Sequence, residues 1–544
     1  MKKILALVLA MLLVLGMVSA LAVENEKTIT LNGLEDGDAI KYYQVLEFDE
    51  SAEKGWKFTD DFKTLTAGDL NEILTSGIND AMATKIAALA KTAIDGGSVD
   101  TAKSWSKSDL NPGLYMVQAV PSKAEVIYNP VFLAVQADGT GTTKALPLNY
   151  DGNGTAKKSD VTLLKETKSA GDSAWGKATT EDVGDIVDYK ITTTVPAYLE
   201  SYTNPMFKVT DTLTKGLTYK TNDTDNTTVT LNDGSDLTSP TDYSIEFKTN
   251  ASGQETFEIN FTKAYLQKHT AATVVTITYQ AKITADAKNV NPETNTATIE
   301  YSRNPDDEND HGTKEDKTKH YTFDIDAGLQ GDEEYTTSEI VKIGKDENGN
   351  ILYEEKSYSN KTTHHPLAGA EFEIFTDAAC TNHYTNSTIT AETKFSTDDM
   401  GRMNIKGLDE GTYYLKETKA APGGFMLLTD KLKFVISATY KDVAATETCN
   451  AYKELDTYSV VVSCIHADNT ETAGATSTYT LDNGTVKKNN GVAGDNTTEV
   501  INTKGTSLPS TGGMGTTLLY VGGSILVLAA VILLVTKRRM NAED

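Results

Sequence analysis

The chain has 544 residues, enough for about three to four domains, and sets 77 acidic against 50 basic residues for a formal net charge of -27. So acidic a surface excludes the basic footprint of a nucleic-acid-binding protein and reads as soluble and self-repelling. With only Cys380, Cys449 and Cys464, a disulfide scaffold is excluded as well, and any covalent staple must be of another kind.

Residues 1–22 read as a secretory signal. Lys2 and Lys3 give the positive end, Ile4 to Val18 the apolar stretch, and Ala20-Leu21-Ala22 a small-x-small cleavage site. A first domain over 23–156 mixes strands with helix, because TAGDLNEILTSGINDAMATKIAALAKTAI (66–94) has helical spacing and composition. The glycine-rich polar passage 137–160 reads as a joint. From 150 to 505 the chain is mostly short alternating runs such as VDYKITTTV, TVVTITYQAKI and KLKFVISA, punctuated by Asp-Gly and Asn-Gly turns. This pattern predicts β-sandwiches, placed at 159–330 and 331–506. The charged run 302–320 reads as a long loop or a second joint. No catalytic or metal constellation stands out among the 7 histidines, so no cofactor and no metal are expected, and an enzyme is rejected. At the far end, Thr516 to Thr536 is nearly all apolar and long enough to cross a bilayer, and Lys537-Arg538-Arg539 should stay cytoplasmic.

Leu508-Pro509-Ser510-Thr511-Gly512, followed by the apolar span and the basic tail, resembles the cell-wall sorting signal of Gram-positive surface proteins, the LPxTG motif read by sortases. The resemblance implies that a sortase cysteine attacks the Thr511 carbonyl, releases Gly512 onward and passes the acyl group to an amine. Pro509 suits this use, since it disfavours helix and presents the peptide extended. Residues 508–544 are then the sorting signal, with 516–536 as its transient membrane helix.

GTYYLKETKAAPGGF (411–425) resembles the E-box of Gram-positive pilins and Cna B-type adhesin domains. PLAGAEFEIFTD (366–377) and VINTKG (500–505) match strands of the same domain. The family implies an isopeptide bond, made when a buried lysine amine displaces ammonia from an asparagine side chain with the help of a buried acid. By this resemblance Glu417 is the acid and Asn502 the acceptor. The lysine is Lys342 or Lys345: burial favours Lys342, and strand alternation keeps Lys345 open. In the second domain the matching set is Lys165, Asp211 and Asn295. The first domain carries no such trio, because a short alignment of GLYMVQA (113–119) with GTYYLKE (411–417) puts Ala119 in the acid's place.

The expected fold is therefore mainly β: tandem immunoglobulin-like, Cna B-type sandwiches with some helix in the first domain. The expected function is the shaft subunit of a sortase-polymerised pilus on a Gram-positive cell wall. Its implied partners are the sortase, other copies of itself, accessory pilins and peptidoglycan. Polymerisation needs an acceptor lysine, and the sequence departs from the family's Tyr-Pro-Lys-Asn context; Lys158 is favoured over Lys157, both in the 137–160 joint. The alternative is a basal or accessory pilin, or a monomeric wall-anchored adhesin that binds a host ligand directly.

Overall fold

The computed structural model describes residues 27–540, apart from 506–513 and short internal stretches of which 138–151, 220–229, 328–338 and 489–497 are the longest. The signal at 1–22 and the LPSTG peptide lie outside the described residues.

In the N-terminal part, the strand Ala39–Phe48 lies between Trp56–Phe58 and Gly113–Val120, and Val131–Val135 follows on the far side. The helical stretch resolves into two helices, Ala67–Thr75 and Asp80–Leu89, separated at Gly77, whose φ of 87° a side chain would resist. Thr66 starts the first with a capping box: its hydroxyl accepts from the Asp69 amide at 3.1 Å, and the Asp69 carboxylate accepts from the Thr66 amide at 2.8 Å. Asn79 caps the second through the Met82 amide. Ile73, Met82 and Ile86 pack onto Leu46, Trp56, Leu114 and Met116 of the sheet.

Next comes a sandwich of two sheets. One runs Leu163–Ser169, Ile186–Val195, Thr273–Ile283, Leu217–Tyr219; the other runs Ala178–Thr180, His311–Tyr321, Glu293–Ser302, Phe207–Leu213, Glu255–Phe261, Tyr243–Thr249. Strict alternation drives it: Ile186–Val195 buries every second residue and so does Phe207–Leu213. The charged run 302–320 is neither loop nor joint but largely the strand His311–Tyr321, antiparallel to Glu293–Ser302. Asp316, Thr318 and His320 point inward along it, so its alternation is polar and carries no hydrophobic signal.

The third unit begins with the strand Phe323–Ala327, about ten residues before position 331, because this strand joins Met403–Leu408 and Ile340–Lys345 in a four-stranded sheet completed by Thr498–Thr503. Facing it is a seven-stranded sheet that includes Glu371–Phe375, Gly411–Lys419, Lys431–Val443, Tyr452–Ile465 and Glu471–Asp482. The 137–160 passage is also partly structured: Lys157–Asp160 pairs antiparallel with Val126–Asn129 of the first unit, and Ile127 packs into the core of the second. At the C-terminus, Met514–Met540 is one helix, and its stretch Leu519–Met540 holds an 18-residue window of mean hydropathy 2.5, long and apolar enough to cross a membrane.

Candidate functional site: two buried lysine clusters

Lys165 lies on Leu163–Ser169, whose alternation turns Leu163, Lys165 and Thr167 inward. Across the core, Asp211 sits on Phe207–Leu213 and Asn295 on Glu293–Ser302, neighbouring strands of the opposite sheet in which Asn295 stands beside Leu213. All three residues are fully buried. The Lys165 Nζ is 2.5 Å from Asp211 Oδ2 and 2.5 Å from the Tyr279 hydroxyl, and the Asn295 Nδ2 donates to that same hydroxyl at 2.9 Å. Tyr219 donates to Asp211 Oδ1 at 2.8 Å. The Asn295 Oδ1 is buried without a hydrogen-bond partner.

Burial makes a charged lysine expensive, and cation–π attraction and Asp211 offset part of that cost: the Nζ lies 5.0 Å and 5.2 Å from the ring centroids of Tyr189 and Tyr279, which stack on each other. Burial pushes the Lys165 pKa down, against the pull of Asp211. Behind the cage, His320 bonds the Tyr189 hydroxyl at 2.7 Å; burial, with the Lys165 charge second, lowers its pKa to about 3 and keeps it neutral.

The third unit assembles the same residue types differently. Lys342 lies on Ile340–Lys345 and Asn502 on Thr498–Thr503, adjacent parallel strands of one sheet, while Glu417 reaches in from Gly411–Lys419 of the other. The Lys342 Nζ is 3.0 Å from Glu417 Oε1, an ion-pair distance without hydrogen-bond alignment. Glu417 Oε2 accepts from Asn502 Nδ2 at 2.8 Å and from the Leu428 amide at 2.7 Å, and Asn502 also donates to the Met426 carbonyl. Again the asparagine oxygen, Oδ1, is buried and unpartnered. Burial lowers the Lys342 pKa, opposed by Glu417. Gly344 is required here, because a Cβ would come within 2.8 Å of the Phe425 ring that closes this end of the core. Of the two candidate lysines, Lys342 meets Glu417; Lys345 is half-buried at the strand's end.

In the first unit, Ala119 is a buried apolar residue opposite Ile40. The two lysines of the 137–160 passage differ from each other. Lys158 is held by Glu35 at 2.7 Å and by Asp160 at 3.1 Å, and its pKa is raised, first by the Glu35 hydrogen bond. Glu35 also takes Lys123 and Lys103, and the bond from Lys158 first, with these two after it, holds its carboxyl far below the usual range. Lys157 is exposed and lines a cleft of about 230 Å³ between the first two units, with Asp80, Asn129, Tyr198 and His269. Tyr279 escaped sequence reasoning. It is one of 25 tyrosines, and its only signal is its inward phase in TVVTITYQAKI.

Comparison with known proteins adds to this geometry. Residues 183–305 match the Gram-positive pilin backbone subunit 2, Cna-B-like domain; 356–449 match the SpaA prealbumin-like fold domain; 501–542 match the LPXTG cell wall anchor motif. The trypsin-resistant surface T6 protein of Streptococcus pyogenes serotype M6 is 24% identical over 575 aligned residues, covering 98% of this chain and 99% of its own. The solved structure of the T6 backbone pilin, described as a modular three-domain protein, superposes with a TM-score of 0.52 at 18% identity, covering 89% of this chain and 100% of that one. The major pilin SpaD of Corynebacterium diphtheriae aligns at 18% identity over 74% of this chain and 90% of its own, with a TM-score of 0.40.

Proposed function

We propose that this chain, a Gram-positive pilin by its backbone domain and its cell-wall anchor, is the shaft subunit of a covalent surface pilus, stapled internally by Lys165–Asn295 and Lys342–Asn502 bonds. The observation that carries the staples is a buried lysine, acid and asparagine converging at one point in each of two sandwiches. A structural role alone gives no reason to bury a lysine twice beside an asparagine whose oxygen has no partner. In the second domain the neutral Lys165 amine attacks Cγ of Asn295. The new N–C bond forms, the bond to Nδ2 breaks, and ammonia leaves with one proton that began on the lysine. Asp211 receives and returns protons. Tyr279 touches both the attacking and the departing nitrogen, so its hydroxyl is placed to relay that proton. In the third domain Glu417 contacts both nitrogens directly and serves both purposes.

For polymerisation, Thr511 of one copy is joined by the sortase to a lysine of the next, a head-to-tail contact that does not close and therefore makes a fibre. Lys157 suits the acceptor better than Lys158, whose amine is already held by two carboxylates. The cleft beside Lys157 leaves room for an incoming chain. The domains are then 23–160, 161–321 and 322–505, with the sorting signal at 508–544.

The test is intact mass of the exported part of the chain under reducing conditions, beside Asn295→Ala and Asn502→Ala. A deficit of two ammonia molecules, falling to one in each variant, is the expected result; an unmodified mass overturns the staples. Polymerisation is read separately, as the ladder of covalent multimers on cells that express the sortase. Lys157→Arg should abolish the ladder and Lys158→Arg should keep it, and the reverse pattern returns the role to Lys158.

A further inference from the structure

We propose that Asp430, Cys464 and His466, at one end of the third domain's large sheet, form a binding site for a zinc-type divalent metal ion. The strand Tyr452–Ile465 ends beside Cys464 and turns at 466–470 into Glu471–Asp482. The turn is closed by backbone bonds between His466 and Thr470 and between Asn469 and His466, each 2.9 Å. Register puts Cys464 between Leu432 on one side and Thr472 on the other, and Asp430 directly precedes the strand that carries Leu432. Three elements of a rigid sheet therefore aim a thiol, an imidazole and a carboxylate at one point.

The spacing fits a metal. Cys464 Sγ is 3.6 Å from Asp430 Oδ2 and 3.9 Å from His466 Nδ1, and His466 Nδ1 is 2.9 Å from Asp430 Oδ2. A tetrahedral zinc ion with bonds of about 2.3 Å to sulfur and about 2.0 Å to nitrogen and oxygen separates such ligand atoms by roughly 3.3–3.6 Å. Each observed separation lies within about 0.4 Å of that range. The outer contact is also in place, since His466 Nε2 lies 2.8 Å from Thr472 Oγ1. In the tautomer with the proton on Nε2, that atom donates to Thr472 and Nδ1 is left free to bind metal, the usual way a second hydrogen bond orients a ligating histidine. A thiolate and an imidazole select zinc, cobalt or their neighbours over calcium and magnesium, which want oxygen alone. Asp430 and His466 are partly exposed, with side-chain exposures of 27% and 38%, so ions have access and a fourth position faces solvent. On binding, the thiol and imidazole Nδ1 protons leave to solvent.

The sequence carries a faint signal for this site in Cys464-x-His466, and the third ligand lies 34 residues upstream of the thiol. The proposal does not depend on the isopeptide reading. The experiment titrates the full-length chain, in detergent and reduced, with Co²⁺ and then Zn²⁺. One equivalent of Co²⁺ should raise a thiolate-to-metal charge-transfer band, and Zn²⁺ should displace it. The band should vanish in Cys464→Ser, persist in a Cys380→Ser/Cys449→Ser double variant, and need about tenfold more metal in Thr472→Val. Circular dichroism without metal checks that each variant folds. No band in the folded wild-type chain, or a band that survives Cys464→Ser, overturns the site; should Cys464→Ser not fold, the wild-type and double-variant spectra decide.

Discussion

The second and third domains converge on the same three residue types by opposite routes. In the second, acid and asparagine share a sheet and the lysine comes from the other, so the proposed Lys165–Asn295 bond would tie sheet to sheet. In the third, lysine and acceptor share a sheet as parallel neighbours and the acid crosses the core. In both domains the acid meets its lysine across the core, but only the longer Glu417 also contacts its asparagine from the opposite sheet, while Asp211 sits on the strand next to Asn295 and contacts Lys165. The helper differs too, for Tyr279 bridges lysine and asparagine in the second domain and Glu417 bridges them itself in the third.

The largest effect expected from this comparison is on stability. Either bond closes a loop of well over 100 residues, worth about 4–5 kcal/mol by loop-entropy reasoning. For domains of this size that is a melting shift of about 10–20 °C. Asn295→Ala should lower only the second domain's calorimetric transition and Asn502→Ala only the third's. A variant that lowers both transitions equally would mean that the two domains melt as one unit.

Second in size is the rate of bond formation. Tyr279→Phe keeps the ring and removes the hydroxyl, so it should slow ammonia loss in the second domain by about 100-fold and leave the third untouched. The readout is a mass time course on freshly refolded chain, with Tyr189→Phe as a control for the aromatic cage. Equal rates would reduce Tyr279 to packing. Glu417→Asp should stop bond formation in the third domain, because the shortened carboxylate no longer reaches both Lys342 and Asn502; a normal rate would show that side-chain length is not what matches each acid to its place.

Sequence exposed what is encoded by type and order, and concealed what is encoded by register. The E-box resemblance marks Glu417 and Asn502 but leaves the lysine open between Lys342 and Lys345, and it is the fold that brings Lys342 to Glu417. Lys165, Asp211 and Asn295 were legible without an E-box, from the likeness of their three stretches to backbone pilins, and the fold brings them together. Tyr279 was not, because an inward tyrosine in an alternating strand looks like any core residue. The strand His311–Tyr321 was hidden because its inward residues include Asp316, Thr318 and His320, of which Asp316 accepts from the Lys165 amide and His320 bonds Thr179, so they form no apolar stripe. The Lys157/Lys158 distinction was hidden too. Adjacent strand residues point to opposite sides, and only the fold reveals that Glu35 waits on one of them.

The smallest expected effect concerns the junction between the second and third domains, and it separates junction stability from that of the sandwiches. Asp182 accepts from the Asp409 amide at 2.8 Å and from the Tyr384 hydroxyl, while Glu181 is buried beside it and takes the Ser169 hydroxyl at 2.6 Å. Burial raises Glu181 to about 8 and Asp182 to about 6, with Asp409 raised in the same way. A carboxyl whose folded pKa is raised binds more protons folded than unfolded, so its contribution is full below the unfolded value of about 4.5 and is lost as pH rises through about 8. The junction should therefore tighten from pH 8 to pH 5, raising the melting point by about 3–6 °C. Below that window the depressed carboxylates Asp49 and Asp69, each held near 2, begin to take up protons and pull stability down again. Glu181→Gln removes the dominant titrating group while keeping the Ser169 hydrogen bond, and should flatten the rise between pH 8 and pH 5. An unchanged slope in that variant would place the pH dependence inside the sandwiches instead of between them.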